Sequence, residues 1–398
     1  AQYFGAKDYA RVRRSIDTIF IFISIASVII SVIGILASSA IFKLMGLPEE
    51  LMSDAKTYLI TFLTGTILLF GFNGTCAILR GLGDSVTPLI FLIIATITNT
   101  LLAIFFVRIL NLGVMGAALA TVAANGGAFL TAVIYLNKNH KLVRINLRKP
   151  VFDWHIFRMS VNIGVPSGLQ QTFVSVGMFA IFSIVNKFGT DVIAAYSVAN
   201  RIDNIAILPA MNFGQALSTF TGQNIGAGKI NRVREGLRST LLMTSLASFV
   251  LSLIIIIFRR QLMGLFTSDL AVISYGSEYL MIVAASYLIF STMFAINGIL
   301  RGAGDTLIPM FISLLSLWII RIPVAALLSG QYTQWLASIK FLNILHNINL
   351  GESGIWWSVP VGWTFGLILA WFYYRSGRWK RKKVIDLRES LVNLEEVI

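Results

Sequence analysis

Long apolar stretches separated by short polar turns fill most of this chain, and their spacing predicts ten membrane-crossing helices. The expected spans are roughly 16–41, 57–79, 88–110, 113–136, 160–187, 191–223, 237–258, 271–299, 307–329 and 354–374. A helix that crosses a bilayer needs about 20 predominantly apolar residues, and several of these runs exceed that length. The span at 191–223 differs from the rest, because Asn, Asp, Gln and Arg recur along it.

The pattern is also duplicated. "RGLGDSVTP" (80–88) returns as "RGAGDTLIP" (301–309), and "QYFGAKDYARVR" (2–13) returns as "QNIGAGKINRVR" (223–234), both 221 residues further on. "LGVMGA" (112–117) is echoed by "LGESGI" (350–355) at an offset of 238. About 17 extra residues therefore lie between the last two spans of the second half, and "WLASIKFLNILHNINL" (335–350) reads as an interfacial helix there. All three pairs fall on matching sides of the membrane, as expected of parallel repeats related by an axis along the membrane normal. The expected fold is all-α and polytopic, with two parallel-repeat helical lobes. Because residue 2 aligns with residue 223, the repeat predicts two further spans ahead of Ala1, giving six plus six in a full protein and four plus six here. The expected organisation is an N-terminal lobe at 1–136, a cytoplasmic linker at 137–158, a C-terminal lobe at 159–374 and a basic cytoplasmic tail at 375–398.

Each repeated turn has a physical reading. Arg80 or Arg301 closes a helix, where a cation favours the last carbonyls. Gly81 and Gly83, or Gly302 and Gly304, permit the left-handed stop. Asp84 or Asp305 can cap the following helix, whose opening turn suits Pro88 or Pro309.

Composition agrees with a membrane protein. Of 398 residues 56% are hydrophobic and 13% charged, more apolar surface than a soluble fold of this size hides. The net charge of +14 would suggest nucleic acid in a soluble protein. Here the basic residues sit in short loops, so contact with anionic lipid and membrane orientation account for them and no nucleic acid is expected. With the start of the chain taken as cytoplasmic, inner segments hold 23 of the 32 Lys and Arg and outer segments hold seven. Both ends of the sequence are thus expected in the cytoplasm of a bacterial inner membrane, with "RWKRKK" (378–383) as a lipid anchor and 386–398 as a short amphipathic helix. Cys76 is the single cysteine, so no internal disulfide forms. Neither metal-ligand spacing nor a nucleotide-binding or hydrolase motif is present, so no enzyme chemistry, metal or cofactor is expected.

The two cations that remain, Arg201 and Arg321, lie well inside spans. Asp203 lies about 12 residues beyond Asp191, roughly 18 Å into a core about 30 Å thick. A carboxylate there is either a protonatable or cation-facing site, or one half of a structural ion pair with Arg201 or Arg321. Arg201 and Asp203 point about 200° apart on one helix, so a direct pair between them is awkward. Gln170 and Gln171 follow Pro166, and Asn204, Asn212 and Gln215 follow one another around Pro209. A proline kink with polar neighbours can line a cavity or hold helices together.

The two Arg-Gly-x-Gly-Asp turns, "GVPSGLQQ" (164–171) and "AAYSVANRID…PAMNFGQALSTFTGQNIGAG" (194–228) together resemble the multidrug and toxic compound extrusion (MATE) family of secondary transporters, over nearly the whole chain. The resemblance implies two six-helix lobes around a central cavity and no cofactor. It also implies export of amphipathic or cationic small molecules against inward H+ or Na+. No Asp or Glu occurs between Pro166 and Asp191, where sodium-type members often carry one, so the coupling ion stays open. Site candidates are then Asp203, Arg201, Gln170, Gln171, Asn204, Asn212, Gln215 and Arg321, in a monomer embedded in lipid. Rival readings are a flippase for lipid-linked sugars on related lobes, and a non-transporting receptor or scaffold.

Overall fold

The computed structural model describes residues 1–44, 46–139, 150–331 and 349–381. The expected interfacial helix at 335–350 lies almost wholly outside these residues, as do the end of the basic cluster and the terminal helix at 386–398. Only helices and turns occur among the described residues. After a single turn at Gln2–Gly5 come α1 (Tyr9–Leu44), α2 (Glu49–Thr64), α3 (Thr66–Gly81), α4 (Val86–Ile104, extended by a wide turn Phe105–Ile109) and α5 (Gly113–Asn139). Then follow α6 (Trp154–Val185), α7 (Thr190–Gly226), α8 (Ile230–Gly264), α9 (Leu270–Ala284) and α10 (Tyr287–Gly302). Last come α11 (Leu307–Leu314), a π-helical stretch Leu315–Arg321, α12 (Ile322–Leu328) and α13 (Glu352–Ser376).

Contacts divide the chain into two compact units. One holds Ala1 and Tyr3–Val161, the other Gln2 and Asn162–Ile398. The division falls inside α6, whose first turn is capped by Asp153 Oδ1, accepting from the backbone N–H of His155 at 3.0 Å and of Ile156 at 3.1 Å.

Among the described residues, seven helical segments are long and apolar enough to cross a membrane singly. Two further segments do so only as pairs, and here the structure departs from the unbroken spans expected at 57–79 and 271–299. Each is broken by a bend of 49°, between α2 and α3 at Gly65 and between α9 and α10 at Ala285–Ser286. Neither break contains proline. At Gly65 a Cβ would come within 2.3 Å of the Val122 side chain, so close packing of α5 fixes that corner. The two breaks are 221 residues apart, the offset of the sequence repeat. The long helix α7 is not among the segments apolar enough to qualify, consistent with its polar positions. Pro166 and Pro209 both sit within continuous helices.

Apolar residues fill the interior of each unit and also cover its outward faces, as a bilayer solvent requires. On α1 the outward face is Ile25, Val28, Ile29, Val32, Ile33 and Leu36; on α8 it is Leu242, Leu246, Phe249, Leu253 and Ile257, all exposed. In the second unit, α7 meets α10 through glycines. A Cβ on Gly298 would stand 2.3 Å from the Gly214 carbonyl oxygen, and one on Gly302 2.3 Å from that of Ser218. Packing of this kind joins membrane helices by close backbone approach, because lipid supplies no hydrophobic drive between them.

The repeated turns adopt one conformation twice. Gly83 and Gly304 have φ of 95° and 93°. The Gly83 N–H donates to Arg80 O and that of Asp84 to Leu79 O, both at 2.9 Å; Gly304 to Arg301 and Asp305 to Leu300 repeat these bonds at 2.9 Å. This is the glycine-stopped helix end in which two orphan carbonyls are satisfied.

Candidate functional site

Residues of three other helical elements of the second unit approach Asp203. The side chain projects inward from α7 and is 7% exposed. The Tyr279 hydroxyl, from α9, donates to Asp203 Oδ2 at 3.3 Å. Tyr287, at the start of α10, and Arg321 lie close enough to act electrostatically on the same carboxyl group, though neither is hydrogen-bonded to it. Above Asp203 on α7, the Tyr196 ring stacks on Trp356 of α13, with centroids 5.7 Å apart and planes 6° from parallel. Tyr279 meets both rings edge-on, at 5.8 Å and 5.1 Å. These aromatics are nearly solvent-free and wall the carboxyl group off from water.

Polar atoms in this pocket are incompletely paired. Asp203 Oδ1, Tyr287 Oη, Arg321 Nε and Trp356 Nε1 are buried without a hydrogen-bond partner. Buried polar groups are ordinarily satisfied, and orphans gathered in one place mark a functional or switching site. Arg321 ends the π-helical stretch, an arrangement frequent at functional positions. Its Nη1 rests 3.9 Å from Met178 Sδ of α6, and no ion pair within 4.0 Å joins it to Asp203. The contact ion pair weighed from the sequence is therefore not formed with either arginine.

The remaining site candidates separate into two groups. Arg201, Asn204, Asn212 and Gln215 are exposed along one face of α7, opposite Asp203, and Asn204 Nδ2 donates to Asn200 Oδ1 at 2.8 Å. Gln171 is exposed on α6. Gln170 instead ties elements together: its Nε2 donates to Ser313 Oγ at 2.6 Å and Pro309 O at 3.3 Å, and its Oε1 accepts from Arg301 at 3.0 Å. The arginine of the second repeated turn is thereby fixed to α6. The turn aspartates also find partners. Asp84 Oδ1 accepts from the Thr87 N–H in the first turn of α4 at 3.0 Å, and Oδ2 accepts from the Tyr135 hydroxyl at 3.3 Å. Asp305 accepts from the Tyr373 hydroxyl. Sequence reasoning passed over Tyr135, Tyr196, Tyr279, Tyr287, Tyr373 and Trp356, since buried aromatics are common in any membrane core. One signal was available: Tyr135 and Tyr373 share the 238-residue offset.

No group of three or more His, Cys, Asp or Glu able to hold a metal ion occurs among the described residues. Duplicated helical units, outward apolar faces and a single buried carboxyl within a polar helix define a polytopic membrane transporter. The MatE family model matches residues 1–105 and 166–327, and the chain belongs to this family of multidrug efflux transporters. It is 33% identical over 385 residues to the probable multidrug resistance protein YpnP of Bacillus subtilis (strain 168), covering 96% of this chain and 82% of that one. It is 31% identical to the probable multidrug resistance protein YoeA of the same organism, covering 97% and 81%. Among solved structures, an outward-facing multidrug resistance MATE family transporter of the MOP superfamily superposes with a TM-score of 0.86 at 21% identity, covering 96% of this chain and 82% of the other. The family consists of integral membrane transporters, not enzymes, and its members act on small molecules without a resident cofactor.

Proposed function

We propose that this protein is a secondary active exporter that exchanges amphipathic or cationic small molecules for H+ or Na+ by alternating access between its two helical units. It acts as a monomer surrounded by lipid in the bacterial inner membrane, with the start and end of the chain on the cytoplasmic side. Asp203 is the coupling group. Arg201, Asn204, Asn212, Gln215 and Gln171 line the substrate path, while Gln170, Arg321 and the repeated turns hold the scaffold. The observation that carries this reading is the buried carboxyl of Asp203, bonded to Tyr279 and surrounded by unpaired polar atoms. A cation loaded there alters access only if it binds one state more tightly than the other. A half-satisfied buried carboxyl supplies that difference, because its charge is costly wherever it is not compensated.

The test is ethidium efflux from vesicles containing the full chain, under an imposed proton or sodium gradient. Export under at least one gradient is expected. A correctly inserted protein that moves no ethidium under either gradient would overturn the reading.

A further inference from the structure

We propose that a cleft between α7 and α8 holds one membrane phospholipid of the phosphatidylethanolamine type, with its phosphate against Arg232 and its primary ammonium against Glu235. The inference goes beyond the efflux reading and does not depend on it.

The cleft has a volume of about 570 Å³ and lies wholly within the second unit. Its α7 wall is apolar and carries Phe213 and Phe220, while α8 supplies Arg232, Glu235, Ser239 and Met243. Both charges stand in the first two turns of α8. At a rise of 1.5 Å per residue, Met243 lies about 12 Å further along the helix than Glu235. The Phe220 ring covers the backbone of Gly236, where a Cβ would stand 2.4 Å from it. Polarity therefore falls along the cleft from charge to hydroxyl to hydrocarbon, as it does through the headgroup region of a bilayer. The apolar end opens onto the bilayer-facing side of α8. Ser239, Leu242, Met243 and Leu246 share one helical face, and all four are exposed. A lipid can enter the cleft sideways from its own leaflet.

The charge pattern selects the headgroup. Arg232 and Glu235 are exposed, and among the described residues no ion pair within 4.0 Å joins them. Arg232 offers donors to a phosphate, and Glu235 accepts from an ammonium. A purely anionic headgroup meets a repelling carboxylate. An amphipathic cation meets a repelling guanidinium. A quaternary ammonium has no N–H to give. An ethanolamine phosphate satisfies both side chains.

The repeat adds a second observation. Arg14 and Thr18 of α1 stand 221 residues before Glu235 and Ser239. In the first unit these positions hold the chain itself. Arg14 pairs with Asp153 at 3.8 Å, and Thr18 Oγ accepts from the Asp153 N–H at 3.0 Å. In the second unit Glu235 and Ser239 are exposed, and the charge at the first of them is reversed. A surface that one repeat covers with its own chain is open in the other, with the sign an ammonium needs.

Native mass spectrometry of the delipidated full chain in detergent reads the first lipid bound. Phosphatidylethanolamine should bind about tenfold or more tightly than phosphatidylcholine, the factor expected for one charge-assisted hydrogen bond. Glu235→Gln should erase that preference, and Arg232→Gln should weaken both lipids. Gly236→Leu fills the cleft against Phe220 and should lower lipid retention with no change of charge. Glycerophosphoethanolamine, which lacks acyl chains, should not compete at the same concentration. Should the variants fail to insert, the wild-type lipid series still decides. Equal retention of phosphatidylethanolamine and phosphatidylcholine, or tighter retention of phosphatidylglycerol, would overturn the proposal. So would undiminished selectivity in an inserted Glu235→Gln variant, or competition by glycerophosphoethanolamine. Displacement of the lipid by ethidium would also overturn it and assign the cleft to exported molecules.

Discussion

Tyr373 donates its hydroxyl to the Asp305 carboxylate and so ties the last helix of the second unit to the turn before α11. Tyr135 and Asp84 form the same pair in the first unit at 3.3 Å. The repeat conserves a specific side-chain bond as well as a fold, with the 17-residue insertion falling between the two partners. A hydrogen bond to a charged acceptor contributes about 1.5–3 kcal/mol. Tyr373→Phe should therefore lower the thermal unfolding temperature of the detergent-solubilised protein. Tyr135→Phe should lower it less, because Thr87 also serves Asp84. Unchanged melting in both variants would mean that the clasp does not stabilise the units.

Asp203→Asn should abolish gradient-driven ethidium export, by at least about tenfold, while keeping stability within about 1 kcal/mol. The amide oxygen can still accept from Tyr279, so folding survives and titration does not. Transport at the wild-type rate would remove Asp203 from the mechanism.

Along the exposed face of α7, Arg201→Gln and Asn212→Ala should alter stability by no more than about 0.5 kcal/mol. Both should change the concentration dependence of ethidium export. A change in unfolding temperature without a change in transport would place these residues in the scaffold instead.

Gly298→Val drives a side chain against the Gly214 carbonyl, and overpacking of this kind costs about 1–3 kcal/mol. Gly168→Ala is the control: nothing lies within 4 Å of the added Cβ, and alanine favours the helix by up to about 1 kcal/mol. Thermal unfolding should fall for the first and hold or rise for the second.

Orientation can be read by thiol labelling, since Cys76 is the single native cysteine and is buried. A cysteine at Thr267 should react with a membrane-impermeant maleimide in intact cells. One at Lys229 should react only after permeabilisation. The reverse pattern would invert the proposed topology.

The amino-acid sequence by itself determined that this chain lives in a membrane, that it is built twice, and that α7 is the odd helix. Those properties are local or periodic: run length, a 221-residue offset, and polar residues where apolar ones are the rule. It also separated Arg201 from Asp203, because two residues of helical twist put them on opposite faces. The tertiary structure alone decided what Asp203 meets. Tyr279, Tyr287 and Arg321 come from elements 76 to 118 residues away in the chain, and no periodicity links them. It alone showed that Gln170 holds the Arg301 turn, and that two apparently continuous spans bend by 49°. At Gly65 the cause is a neighbouring side chain, Val122, that a reading along one dimension cannot place beside it.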